Sequence, residues 1–253
     1  MDNIIINADD FGYSEFINKG IAYCFNNDLI DRTTVMVNMN SLEDAKRIAE
    51  DEGFLNRVGF HLNIVEGMPL TEQIKKTELC NSDGSFNNLF FRNTRNRLII
   101  NKEIRSALKD EIEAQIDKFF STGFVLKHMD SHQHSHNNLS VLEILAPLVK
   151  KNFTSVRLSR NIPINEIKGY KRVYKNIVNN KIISFNHDKD IKYFGSYRDV
   201  EIYLQSDNID KVELEVHPAF VDGKLVDLYN DENVEKWIRR LENCQKNKVG
   251  VIG

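Results

Sequence analysis

Cysteine is scarce in this sequence: Cys24, Cys80 and Cys244 are the three in 253 residues, and none forms a CxxC pair. That spacing argues against a thiolate zinc site and against a disulfide framework, and it points to a reducing cytoplasm. An excess of either charge is lacking too. The net charge is −3 with 28% charged residues, so the basic stripe of a nucleic-acid binder is missing. The one Lys-rich stretch, Lys168 to Lys192, reads as a solvated surface. No window approaches the roughly 18 apolar residues of a membrane span. The opening MDNIIINADD has an acid at position 2 and too short an apolar run for a signal peptide. There is no GxSxG elbow, no P-loop and no GxGxxG fingerprint. Repeats, low-complexity tracts and Pro-, Gly- or Ser-rich linkers are also absent. These absences predict one soluble cytoplasmic domain over 1–253 that engages neither nucleic acid nor membrane.

What is present is an alternation of short β-rich runs with amphipathic helical patterns. Strands are predicted at Asn3–Ala8, Thr33–Asn38, Arg57–Asn63, Lys127–Asp130, Ser155–Ser159, Lys211–Val216 and Val249–Ile252. Helices are predicted from a Ser14 cap through about Asn26, over Ser41–Asp51 with Ser41 as cap, and over Asn138–Lys151 and Asp231–Asn247. The clearest helix follows Asn101: Ile104, Leu108, Ile112, Ile116 and Phe119 fall four, four, four and three apart, and Gly123 ends it. Ile64 to about Asn101 reads as a loop-rich insertion, and Pro163 to Asp207 has no clear period. Such alternation favours parallel strands with right-handed crossovers, which either an open doubly wound sheet or a closed barrel satisfies.

Four polar clusters stand at the C-terminal ends of predicted strands: NADDFG (Asn7–Gly12), GFHLN (Gly59–Asn63), HMDSHQHSH (His128–His136) and EVHPAF (Glu215–Phe220). In α/β barrels that edge is where active sites are built. Asp9 and Asp10 would repel one another without a cation or proton between them. Neighbours on a strand point opposite ways until the chain bends, so the two acids are expected to differ in role. His128, Asp130, His132, His134 and His136 share one face while the backbone stays extended. Their imidazoles and carboxylate suit a borderline divalent cation such as zinc, with oxygen-preferring metals as an alternative. Glu215 and His217 share one face of their strand and Val212, Leu214 and Val216 the other. Pro218 fixes His217 at the rim, where it can act as acid or base.

In these motifs the chain resembles the YdjC-type carbohydrate deacetylases, which include bacterial chito-oligosaccharide deacetylases. NADDFGYS, TTVMVN, GFHLN, HMDSHQHSH, VRLSR and EVHPAFVD occur in the family's order, while Asp188–Asp207 matches no part of that pattern. The resemblance implies an α/β fold, a modified (β/α) barrel with mostly parallel strands. It implies one divalent metal ion, Mg2+ or Zn2+, on Asp10, His61 and His132, with Asp9 as general base and His217 as general acid. His134 and His136 would stand behind the ligands. From its position in a predicted strand alone, Arg157 is expected to orient Asp9 or hold a sugar oxygen. N-acetylated mono- or oligosaccharides are the implied substrates, and a homodimer the implied assembly. Two other readings remain: a two-metal phosphoesterase or amidohydrolase of the HxH type, and a metal-stabilised sugar-binding protein without turnover.

Overall fold

The computed structural model describes residues 3–162, 169–204, 210–230 and 233–249. In chain order the elements are β1 (Ile4–Phe11), α1 (Glu15–Asn26), β2 (Arg32–Val35), α2 (Leu42–Asp51), β3 (Val58–Leu62), α3 (Thr94–Leu98), α4 (Lys102–Ser121), β4 (His128–Ser131), α5 (Leu139–Asn152), β5 (Ser155–Val156), α6 (Gly169–Phe185), β6 (Ile191–Gly195), α7 (Tyr197–Leu204), β7 (Lys211–Val216), β8 (Pro218–Val221), β9 (Lys224–Asp227) and α8 (Val234–Val249). Seven strands form one sheet in the order β5-β4-β3-β2-β1-β7-β6, every neighbouring pair parallel. The fold is the expected α/β one, with this sheet curled into a modified barrel.

Period-two alternation divides each strand between two environments. Ile4, Ile6 and Ala8 of β1 and Val212, Leu214 and Val216 of β7 join the buried apolar core with the helices. The alternate residues Asn7, Asp9, Glu213 and Glu215 are linked by hydrogen bonds and ion pairs to Arg32 of β2, Asp130 of β4 and Arg157 beyond β5. The inside of the curl is therefore charged, not aliphatic. Gly59 permits one close approach there, since a Cβ would stand 2.8 Å from the His128 carbonyl oxygen of the adjacent strand.

The barrel's edges are joined through one residue, by its backbone and its side chain, rather than by a ladder. Asn161 donates its N–H to the Phe194 carbonyl at 3.1 Å, its Oδ1 accepts from the Phe194 N–H at 2.8 Å, and its Nδ2 reaches the Lys192 carbonyl. β5 is correspondingly shorter than the predicted Ser155–Ser159. The amides of Asn186 and of Asn179 on α6 pair with the backbone of Val156 and Ser159, covering an edge that would otherwise invite another strand.

Local signals held at two of the three expected caps. Ser14 accepts from the Ile17 N–H and Asn101 from the Ile104 N–H, whereas Ser41 makes no side-chain cap. Strands β2 and β3 are shorter than predicted. α8 begins later than predicted and takes in Val249, the first residue of the predicted last strand; Gly250–Ile252 lie outside the described residues, as do 163–168 and 205–207 of the stretch without a clear period. The β8–β9 hairpin was not foreseen, although Asp222 and Gly223 at its turn both have positive φ (49° and 74°), as a two-residue hairpin turn demands. Among the described residues no helix is long and apolar enough to cross a membrane.

Candidate metal centre and active site

The two acids of β1 are separated by a bend. Asp10 has φ 69°, a left-handed conformation that Asp tolerates better than most residues. Asp9, still in the strand's register, turns to Arg157, while Asp10 turns to the histidines. The bend thus gives the two acids different partners.

His61, on β3, is held by the strands beside it. Its Nδ1 lies 2.6 Å from Asp130 Oδ1 and 3.1 Å from Thr34 Oγ1, and that hydroxyl donates to Asp130 Oδ2 at 3.0 Å. A carboxylate oxygen accepts, so Nδ1 carries a proton and Nε2 is the nitrogen whose lone pair a metal ion would take in place of a second proton, the arrangement that second partners impose on metal-binding imidazoles. That Nε2 is buried without a hydrogen-bond partner and lies 3.1 Å from Asp10 Oδ1. His132 Nδ1 lies 2.9 Å from the same oxygen, and His132 Nε2 is likewise buried and unpartnered. One ligand atom from each of Asp10, His61 and His132 falls within 4.8 Å of the others. Although burial opposes charge, the neighbouring His132 and His61 hold the Asp10 carboxyl well below the usual range. Burial also disfavours a charged His61, yet Asp130 and Asp10 raise it to about 10. The cluster thus favours positive charge, and the orphaned nitrogens fit a divalent ion.

The predicted single face from His128 to His136 does not survive beyond β4. After Ser131 the chain turns tightly, and Gln133 and His134 both have left-handed φ values of 48° and 53°. Ser131 Oγ accepts the His136 N–H at 2.9 Å, and His136 Nε2 lies 3.1 Å from the Arg157 carbonyl. The carbonyl can only accept, so Nε2 bears the proton and Nδ1 accepts from the Ser131 hydroxyl at 2.5 Å. Burial drives His136 down to about 3. It is a neutral brace for the turn that presents His132. His134 reaches a different wall, 3.7 Å from Glu215 Oε2. His128 is buried against Ser155, and burial lowers its pKa.

Arg157 is 1% exposed, which removes it as a sugar contact. Its Nη1 lies 2.5 Å from Asp9 Oδ2 and its Nη2 2.7 Å from Asp9 Oδ1. Nη2 also lies 2.6 Å from Asp130 Oδ2, and Nε 2.7 Å from Glu213 Oε1. Of the two roles considered for it, the orientation of Asp9 is the one its position permits. His217 Nε2 stands 3.9 Å from Asp9 Oδ2. Burial raises Glu215, beside Asp9, to about 7 against the pull of Arg157.

These groups line a cleft of about 340 Å³ with Asp9, Asp10, His61, His132, Glu215 and His217 in its wall. Glu66 was not foreseen: it accepts from Gln133 Nε2 at 2.7 Å and Tyr13 Oη at 3.1 Å, with His132 Nε2 at 3.5 Å. Asn63 sets its loop by accepting the Val65 and Glu66 N–H groups. The Asn three residues before it was the available sign.

The model of the family described as YdjC-like protein matches residues 3–247. A carbohydrate deacetylase of Clostridium beijerinckii is 33% identical over 230 residues, 88% of this chain and 84% of that protein. One of Thermoanaerobacter pseudethanolicus is 31% identical over 231 residues, 90% of this chain and 85% of that one. Among solved structures, a candidate cellobiose-phosphate cleavage protein of Enterococcus faecalis V583 has a TM-score of 0.69 at 21% identity, covering 96% of this chain and 94% of its own, a likeness of fold.

Proposed function

Since this chain belongs to the YdjC-like protein family, we propose that it is a carbohydrate deacetylase that hydrolyses the acetamide of N-acetylated mono- or oligosaccharides, releasing acetate and a free amine. The observation that carries the site is the convergence on Asp10 Oδ1 of His61 Nε2, buried without a hydrogen-bond partner at 3.1 Å, and of His132 Nδ1 at 2.9 Å. Asp10, His61 and His132 would hold one divalent ion, and two imidazoles with one carboxylate suit Zn2+ better than Mg2+. Such an ion supplies Lewis-acid polarisation of the amide carbonyl and a more acidic water.

The rest of the chemistry falls to the chain's own groups. Asp9, its carboxylate aimed by Arg157, accepts the attacking water's proton as general base. His217, whose Nε2 stands 3.9 Å from Asp9 Oδ2, delivers a proton to the departing nitrogen, which is otherwise a poor leaving group. Glu215, raised to about 7, keeps its proton at neutral pH for much of the time, which spares Asp9 a second negative neighbour. The whole chain, 1–253, acts as one catalytic domain, and one apolar core running from Ile4 to Leu241 supports that reading. Free Cys24 and Cys80 suit a reducing cytoplasm, and a homodimer accords with the family resemblance.

A two-metal phosphoesterase is less well supported. Asp9, Glu215 and His217 could group around a second cation, but the Arg157 guanidinium already lies against Asp9 and 3.5 Å from Glu215. The test is acetate release from di-N-acetylchitobiose and related sugars by the metal-loaded protein. Chelation should abolish release and a divalent ion should restore it. Sugar binding without acetate release would favour a non-catalytic binding protein instead.

A further inference from the structure

Asp227, the last residue of β9, is fully buried, and its two oxygens gather four donors. Oδ2 accepts the His217 backbone N–H at 2.8 Å and the Tyr197 hydroxyl at 3.4 Å. Oδ1 accepts the Tyr229 backbone N–H at 3.0 Å and Asn230 Nδ2 at 2.9 Å. His217, Tyr229 and Asn230 all line the cleft. A single carboxylate thus joins the loop that carries the proposed proton donor to the segment after β9.

Tyr229 is 64% exposed although it stands in that wall. Its ring meets the His217 imidazole edge to face, with centroids 4.3 Å apart at 75°. An aromatic face left to water in a cleft, with its backbone pinned on a buried acceptor, is what a ligand groove presents. A pyranose ring has C–H-rich apolar faces that can lie on such a surface. A sugar there lies beside the imidazole that must reach its acetamide nitrogen.

We propose that Tyr229 is the platform on which the N-acetylated sugar ring stacks, and that Asp227 is a positioning residue that locks this platform to His217. The identity of the ligand rests on the deacetylase reading; the platform itself rests on the four bonds and the exposed ring. Through Asp227, binding of the ring and delivery of the proton share one anchor.

The experiment pairs calorimetric titration with di-N-acetylchitobiose and acetate-release kinetics, both on metal-loaded protein. Tyr229→Ala should raise Kd and KM about tenfold, with kcat changed less than about threefold, as expected for loss of an aromatic contact. Tyr229→Phe, which keeps the ring, should bring both constants back to within about threefold of wild type. Asp227→Asn sets an amide N–H2 against a backbone N–H donor whichever way it turns, so KM should rise and kcat should fall together, with metal content unchanged. A Tyr229→Ala variant that binds as tightly as wild type overturns the proposal. So does one that loses metal or thermal stability without a KM change, because its role would then be structural. Wild type that binds the disaccharide but releases no acetate defeats the deacetylase reading alone; wild type that does not bind it defeats both.

Discussion

Arg157 holds Asp9 by both carboxylate oxygens, Nη1 to Oδ2 at 2.5 Å and Nη2 to Oδ1 at 2.7 Å, inside a barrel where Asp130 and Glu213 also lean on the same guanidinium. All three acids depend on it. With the Arg157 guanidinium beside them, Asp130 and Glu213 are held below the usual carboxylate range although burial opposes their charge.

Arg157→Met should therefore cost about 3–5 kcal/mol at neutral pH, the penalty of stranding buried charge. Freed of the cation, the carboxyls would take up protons more readily in the folded state, so the deficit should shrink as pH falls. Urea unfolding at pH 7.5 and pH 5 measures it, and a deficit that grows on acidification would contradict the account. Arg157→Lys keeps the charge but cannot grip two oxygens, so it should fold better than the Met variant while kcat stays depressed.

Replacing His61 or His132 with Ala should remove bound metal and turnover together, read by metal analysis of the purified variants alongside acetate release. Full occupancy with full activity in either variant would remove that residue from the ligand set.

For His217 the informative contrast is between leaving groups. An amide nitrogen needs a proton to depart and a nitrophenolate does not. His217→Ala should slow acetamide hydrolysis about 10²- to 10³-fold more than hydrolysis of an activated acetate ester, where the protein accepts one. Asp9→Asn should slow both substrates, by about 10²- to 10⁴-fold, while leaving metal bound. Equal losses on the two substrates for His217→Ala would leave it a positioning group, and loss of metal from Asp9→Asn would exchange its role with that of Asp10.

Glu215 makes a pH prediction of definite sign. Its folded-state pKa, about 7, lies above the ordinary carboxylate value, so between the two the folded protein binds more protons than the unfolded chain. Stability from this group is present at low pH and is lost as pH rises through about 7. Glu215→Gln should remove that decline, so the stability difference, variant minus wild type, should increase from pH 5 to pH 8. A difference that is flat across that range would mean the burial of Glu215 is relieved by solvent.

Much of this was legible in residue order, because strand and cap chemistry are local. Period two put Glu215 and His217 on one face and Val212, Leu214 and Val216 on the other; a side-chain acceptor at Ser14 and Asn101 set two helix starts. The four polar clusters could be placed at strand ends, and the parallel sheet did bring Asp10, His61 and His132 together from three of them. What only the tertiary structure decided is what depends on the curl of the sheet. Arg157 lies 148 residues from Asp9 and 56 from Glu213, and no periodicity links such positions; they meet because edge strands close through Asn161. The split of the histidine run likewise lies in two left-handed residues, Gln133 and His134, whose conformation is stabilised by Ser131 and His136 and not by any turn-forming residue type of their own. Asp227 carried no motif at all. Its importance comes from burial, which makes one carboxylate the acceptor for His217 and for Tyr229, twelve residues further along the chain.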